Sequence, residues 1–344
     1  MLILAVETSC DETSAAILEN DVVISNVISS QLFHNRYGGV VPEIASREHT
    51  KNIITVVDEA LKKAGKSIKD IELVASTSEP GLIGALLVGL NFGKATALSL
   101  GVPFVPVNHI MAHLYSNFLE KEKPAFPFLS LIVSGGHTLL IKVDDYFKHT
   151  VLGKTIDDAA GEAFDKVAKM LGLGYPGGPN IDKLAKEGNP DFHKFPVSRL
   201  KTPYDFSFSG IKTSVLYYLR DIDFKSMEDG SEKEQMVNDI CASFQKTMVD
   251  MLVSNVIKAS EEFNIKTITV AGGVSANSGL KERLFRLKER GYEIFIPSLE
   301  YTTDNAAMIG LTGFYLYSYG NRKEYYTDES FQKNALPRLD YNNF

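Results

Sequence analysis

The sequence predicts an α/β protein built of two duplicated halves with a cleft between them. Three observations carry that prediction. First, "LILAVETSCDETSAAIL", from Leu2 to Leu18, reads as an apolar strand, a turn of small and acidic residues, and a second apolar strand. The run "PFLSLIVSGGHTLLIKV", Pro127 to Val143, repeats that outline with a tighter glycine turn. Second, strands and helices alternate after each hairpin, the signature of the α/β class. Third, 344 residues are enough for two domains of roughly 150 residues, each with its own core.

The elements follow in order. After the first hairpin, "VVISNVISSQ" is a β-branched strand, and 48–64 is a helical stretch. "ELVASTS" is the next strand, and the apolar run from Gly81 to Phe92 is a helix whose glycines, at 81, 84, 89 and 93, let it approach a sheet closely. "PFVPV" is a strand, and "LYSNFLEK" reads as helix. After the second hairpin, helical stretches lie near 161–171 and 234–264, followed by the strand "KTITVAGG" and the helix "SGLKERLFRLKER". The charged stretch from Asp221 to Lys233 reads as a surface excursion.

Composition narrows the function classes. An apolar content of 44%, a charged content of 23% and a net charge of -7 describe an ordinary soluble protein, so any nucleic-acid contact has to be local. Two cysteines, Cys10 and Cys241, far apart in sequence, argue against a disulfide framework and for a reducing cytosol. The N-terminus turns polar after six residues and lacks a basic region, so a first strand is expected there and no signal peptide. The apolar run at 81–92 is interrupted by Lys94 and falls short of the about 20 residues that span a bilayer, so no membrane segment is expected.

Chemistry-bearing residues cluster in a few places. In "NHIMAH", His109 and His113 are spaced so that both imidazoles reach one ion from one helix face, or so that both satisfy loose backbone groups at a helix start. No glutamate adjoins the first histidine, unlike in H-E-x-x-H zinc proteases. Asp304, in "TTDNAAMIG", is either a helix N-cap or a ligand. Three glycine turns, "VSGGHT", "VAGGVSAN" and "GYPGGPNID", have the composition to hold an anion or nucleotide, the first through positive φ at its glycines. Neither G-x-G-x-x-G nor a P-loop is present. Glu162 and Asp165, next to Lys166 and Lys169, read as a salt-bridged helix face.

Taken in order, "ETSCDETSAAI", "GGVVPEIASREHT", "EPGLIGALLVGLNFGKATA", "NHIMAH", "LIVSGGHT", "DDAAGEAFDKVAKMLGLGYPGGP", "DFSFSGIKT", "VAGGVSAN" and "TDNAAMIG" resemble the TsaD family, from the first strand to about residue 315. These are tRNA N6-adenosine threonylcarbamoyltransferases, once described as glycoproteases. The resemblance implies an actin-like, sugar-kinase-like ATPase fold of two lobes, expected as 1–107 with about 305–344, and 108–304. It implies transfer of a threonylcarbamoyl group from threonylcarbamoyl-adenylate to N6 of the adenosine beside the tRNA anticodon, releasing AMP, in the cytoplasm. It implies metal ligation by His109, His113 and Asp304, with iron(II) favoured and zinc compatible. Substrate contacts fall on Ile132, Val133, Ser134, Gly135 and Gly136, then Asp165, Gly178, Asp182 and Asn277. Asp11 falls where actin-like ATPases meet phosphate or magnesium. The "DFSFSGIKT" run is expected to pack, with a contact from Lys212. Basic residues of "LKERLFRLKER" meet either tRNA or solvent. Bacterial members work with TsaB and TsaE. The rival readings are a metalloprotease and a noncatalytic nucleotide-binding subunit.

Overall fold

The structure, a computed structural model, describes residues 1–320, 324–325 and 328–341. The chain divides into two compact units, Met1–Lys123 with Pro297–Phe344, and Pro124–Ile296.

In the first unit β1 (Leu2–Glu7), β2 (Glu12–Glu19) and β3 (Val22–Ser30) form an antiparallel meander. Helix α1 (Pro42–Ala64) leads to β4 (Leu73–Glu79), and α2 (Ile83–Leu100) leads to β5 (Phe104–Asn108), which runs directly into α3 (His109–Tyr115). The strand order is β3-β2-β1-β4-β5, with β4 and β5 parallel to β1 and to each other. Helix α1 starts at Pro42, earlier than the expected Glu48, because proline at the first helical position loses no hydrogen bond. By length and composition α2 is the one helix among the described residues that passes for a membrane span. It packs instead on β4 and α1, and a side chain at Gly89 would overlap Thr8.

The second unit repeats the plan. Strands β6 (Phe128–Val133), β7 (Thr138–Asp145) and β8 (Lys148–Lys154) form the antiparallel meander. Helices α4 (Ala160–Met170), α5 (Gly177–Ala185), α6 (Ser209–Asp221) and α7 (Ser231–Phe263) precede β9 (Thr267–Ala271). Then come α8 (Ser278–Phe285) and β10 (Glu293–Phe295). The order β10-β9-β6-β7-β8 is the first sheet's order with β6 in the place of β1, and β9 and β10 are again parallel. Leu129, Leu131 and Val133, on one face of β6, join Phe164, Phe206, Phe208, Phe244 and Met248 in the core. The run "SGLKERLFRLKER" is not one helix: α8 gives way to a 3-10 turn at Arg286–Arg290.

The chain then returns to the first unit through α9 (Leu299–Thr302), α10 (Ala306–Tyr319) and α11 (Asp328–Gln332). Leu4 and Val6 of β1 pack with Val56 of α1 and with Leu86 and Leu90 of α2. Ala5, pointing to the other face, lies against α10 at Gly310. Helix α10 also packs on α3. That contact keeps 108–123 with the first sheet, so the division falls at 123/124 and 296/297 where 107/108 and 304/305 were expected.

Candidate metal centre and nucleotide-binding turns

Two asparagines decide what the histidines and Asp304 are free to do. Asn108 caps α3, its Oδ1 accepting from the backbone N–H of Ile110 at 2.9 Å and of Met111 at 3.1 Å. The imidazoles of His109 and His113 therefore need not satisfy the helix start. Asn305 caps α10 in the same way, accepting from Met308 N–H at 3.0 Å, which releases the Asp304 carboxylate from the capping role. Asp304 Oδ1 stands 3.4 Å from His109 Nε2 and 3.2 Å from His113 Nε2. Among the described residues, these three form the one group of His, Cys, Asp and Glu side chains arranged to hold a metal, with ligand atoms within 4.8 Å of one another.

The spacing fits an ion. With metal–ligand bonds of about 2.0–2.1 Å, two donors on a tetrahedral centre stand about 3.3 Å apart. Both histidines are buried, while the Asp304 side chain keeps 21% exposure and so marks the open side. Behind His109 lies Glu7, at the end of β1 and fully buried. Its Oε2 accepts from His109 Nδ1 at 2.9 Å and from Thr77 Oγ1 at 2.6 Å, and its Oε1 accepts from Ser9 N–H. This carboxylate keeps a proton on His109 Nδ1 and turns Nε2 toward Asp304, so Nε2 is the nitrogen that would give up its proton to take an ion. Glu7 was missed in the sequence because a glutamate ending an apolar strand resembles a solvated turn residue. The available signal was its position one strand-step before a turn of small residues.

The charges reinforce one another. Burial pushes the His109 imidazole down, but Asp304 and Glu7 outweigh it and hold the group well above its ordinary value. Burial raises Asp304 and Glu7, yet the two histidines hold Asp304, and His109 holds Glu7, below the usual carboxylate range. His113 is depressed by burial and by the charge of His109. Glu12, at the start of β2, is raised well above the carboxylate range by burial, then by Asp304 and by Asp11 beside it. Asp11 thus stands in the acidic turn of this same unit. The turn is braced by His49, which bonds Thr13 Oγ1 at 2.8 Å and the Cys10 carbonyl at 2.9 Å.

The remaining predicted contacts lie in the second unit. Ile132 and Val133 are buried in β6, and Ile132 pairs with Leu139 on one side and Ala271 on the other, so the accessible backbone of this run is Ser134 to Gly136. His137 N–H donates to Ser134 Oγ at 3.0 Å and closes the turn. Gly135 and Gly136 are not at positive φ, contrary to the sequence expectation; their Cβ positions face open space. The strained glycine is Gly272 of the "AGG" turn, at φ 88°, where a side chain would overlap the Val133 carbonyl. Gly161, at the start of α4, would place a Cβ 2.8 Å from the Ser134 carbonyl. The two glycine turns and the start of α4 therefore meet at one place.

Asp165 accepts from Gly177 N–H at 2.7 Å and holds the Pro-Gly-Gly loop on α4. That loop opens helix α5, which the glycines and prolines hid in the sequence, and a Cβ at Gly178 would meet only Phe164 Cβ, at 4.0 Å. Asp182 accepts from Ser278 N–H at 3.0 Å and Oγ at 2.8 Å. Asn277 caps α8 through Leu280 N–H at 2.9 Å, and its Nδ2 donates to Gln245 at 2.7 Å. Glu162 pairs with Lys166 at 2.8 Å, as the salt-bridged face requires. Lys212 pairs with Asp158 at 2.6 Å, and Asp157 accepts from Ser207 Oγ and Phe208 N–H at 2.6 and 2.8 Å, so "DFSFSGIKT" is clamped by the "DD" before α4.

Two units of one strand order, each opening on a hairpin, have the architecture of the actin-like, sugar-kinase-like ATPase fold. HypF has a similar fold: its full-length crystal structure in the phosphate- and nucleotide-bound form, and that of the T. kodakarensis protein, each give a TM-score of 0.59 at 15% identity. Those likenesses cover 91% and 95% of this chain and 46% and 49% of the HypF chains. Residues 22–311 match the family described as TsaD, tRNA N6-adenosine threonylcarbamoyltransferase, and the chain belongs to it. Proteins of that name are similar along nearly their whole length. The one from Porphyromonas gingivalis is 50% identical over 93% of this chain and 95% of its own. The one from Chloroherpeton thalassium is 52% identical over 90% of each.

Proposed function

We propose that this chain forms threonylcarbamoyl-adenosine in tRNA: the N6 amine attacks the threonylcarbamoyl carbonyl carbon of threonylcarbamoyl-adenylate, the new C–N bond forms, the C–O bond to the AMP phosphate breaks with its electrons leaving on AMP, and the proton lost from N6 passes to solvent. The observation that carries the reading is the His109–His113–Asp304 set, backed by Glu7, in a chain of the TsaD family. An adenine amine is a weak nucleophile because its lone pair is delocalised, so the electrophile must be strengthened. His109, His113 and Asp304 would hold a divalent ion, iron(II) by preference for a two-histidine, one-carboxylate set and zinc as the alternative, which supplies carbonyl polarisation when bound.

The protein's own groups supply the rest. Gly135 and Gly136 offer backbone N–H donors to the adenylate phosphate and, having no side chains, leave room for it, whereas the Ser134 N–H is spent on the His137 carbonyl at 2.8 Å. Asp165, Gly178, Asp182 and Asn277 line the place of the nucleoside and threonine groups. Asp11 is the candidate phosphate or magnesium contact. TsaB and TsaE are the expected partners, in the cytoplasm. The test supplies threonylcarbamoyl-adenylate, unmodified tRNA and those partners, and looks for threonylcarbamoyl-adenosine by mass analysis of digested nucleosides. Unchanged tRNA, or peptide cleavage dependent on the histidines, overturns the reading.

A further inference from the structure

We infer that a groove in the second unit, between α7 and the irregular segment before α6, grips the sugar-phosphate backbone of the tRNA substrate, an inference that rests on the transferase reading above. The groove has a volume of about 600 Å³, and the charged residues lining it are Lys194, Arg199, Lys246 and Lys258 against Asp205 and Asp250. Its lining is therefore cationic in a chain of net charge -7.

Both acids are already engaged within the fold. Asp205 accepts from Lys154 N–H at 2.9 Å and from Thr202 Oγ1, and Asp250 pairs with Lys246 at 3.0 Å and Arg283 at 3.5 Å. By contrast Lys194, Arg199 and the adjacent Lys201 are exposed and have no ion-pair or hydrogen-bond partner among the described residues. Three cations with no internal partner on one short stretch are free to take phosphate groups as counter-charges.

One wall of the groove is tied to α7. On α7, Asn255 Nδ2 donates to the carbonyls of Tyr204 and Asp205 at 3.1 and 3.0 Å, and Lys258 donates to the Pro203 carbonyl at 3.0 Å. These bonds pin the returning end of the segment while 196–203 stays exposed, apart from a half-buried Leu200. The one aromatic side chain of the lining, Phe195, is buried at 2% exposure, so no ring is available for a base to stack on. Cations without a stacking platform suit sequence-independent phosphate contacts and not base readout. A polyanion long enough to meet all three free cations at once is the substrate class the family already handles.

The test compares wild type with the triple variant Lys194→Ala/Arg199→Ala/Lys201→Ala, each with the partner proteins that tRNA binding needs, over a range of salt. Three lost phosphate contacts should raise the tRNA Kd about tenfold to a hundredfold and flatten the log–log salt slope by about 2–3. Adenylate affinity and the thermal midpoint should not move, and a Lys66→Ala/Lys69→Ala variant on the first unit should bind tRNA as wild type does. An unchanged Kd and slope in the triple variant overturns the inference, and so does loss of partner-protein association with tRNA affinity retained, which would make the groove a protein interface. If wild type with its partners neither binds nor modifies tRNA, the transferase reading itself has failed.

Discussion

Replacing Glu7 with glutamine alters one atom of a carboxylate that no solvent reaches. In the wild type both oxygens accept: Oε2 from His109 Nδ1 and Thr77 Oγ1, Oε1 from Ser9 N–H. A glutamine has one acceptor oxygen and one NH2. If the oxygen keeps His109, the NH2 confronts the Ser9 N–H, and a buried donor is stranded at about 1–3 kcal/mol. If the amide flips, the NH2 confronts His109 Nδ1, which can then no longer keep its proton, so the ring's last proton stays on Nε2, the nitrogen that would have to release it to take an ion. Either way metal affinity should fall about 10–100-fold, the usual effect of removing a histidine's outer partner, or about 1.4–2.7 kcal/mol. Titration of the purified protein with iron(II) and zinc against a competing chelator measures it. Thr77→Val, which removes one donor but leaves the carboxylate, should lose less. Wild-type metal affinity in Glu7→Gln would refute the claim that this carboxylate sets the tautomer.

Three further outcomes are expected. Asp304→Ala should lose bound metal while its thermal midpoint stays within a few degrees, because Asn305, not Asp304, caps α10; metal analysis showing wild-type stoichiometry would remove Asp304 from the ligand set. Gly136→Val should fold normally but bind adenylate at least tenfold more weakly, since its Cβ enters open space beside the turn, whereas Gly272→Ala should destabilise by more than about 1 kcal/mol through its positive φ; calorimetry and denaturation separate the two. Asp158 is pushed up by burial but held below the usual carboxylate range by Lys166 and Lys212. Its stabilising contribution is therefore present above the unfolded value, near 3.8, and lost as pH falls through the lower folded value. Asp158→Asn should cost about 2 kcal/mol at neutral pH and show a shallower loss of stability in acid; parallel acid profiles would refute the pairing.

The duplicated hairpins could be read from sequence because each sets two apolar runs either side of a turn of small residues. Strand β8, "KHTVLGK", and β10, three residues long, could not, since edge strands carry polar residues and too little periodicity. Helices α5 and α6 were hidden for a related reason: each starts within glycines or serines that read as loop, and tertiary packing overrides the local preference. At the site, the spacing of His109 and His113 showed that they can share an ion, but not that they do. What settles their freedom is Asn108, and for Asp304 it is Asn305, each adjacent in sequence and each able to cap. A row of polar residues at a helix start does not reveal which one takes the cap; the backbone angles decide, and those depend on the fold.

The first unit is assembled from both ends of the chain, with His109 and His113 before residue 123 and Asp304 after residue 297. A ribosome emits the histidines long before the aspartate, and the whole of the second unit must emerge in between. Until α10 arrives, one face of the first sheet lacks its cover, and the two histidines have no carboxylate to complete their set. If the proposed set holds an ion, its loading would thus be a late event in the life of the polypeptide. A chain truncated between Asn277 and Asp304 would carry both imidazoles and every glycine turn yet lack the carboxylate of the proposed set, so on this reading metal content would report on the completion of synthesis.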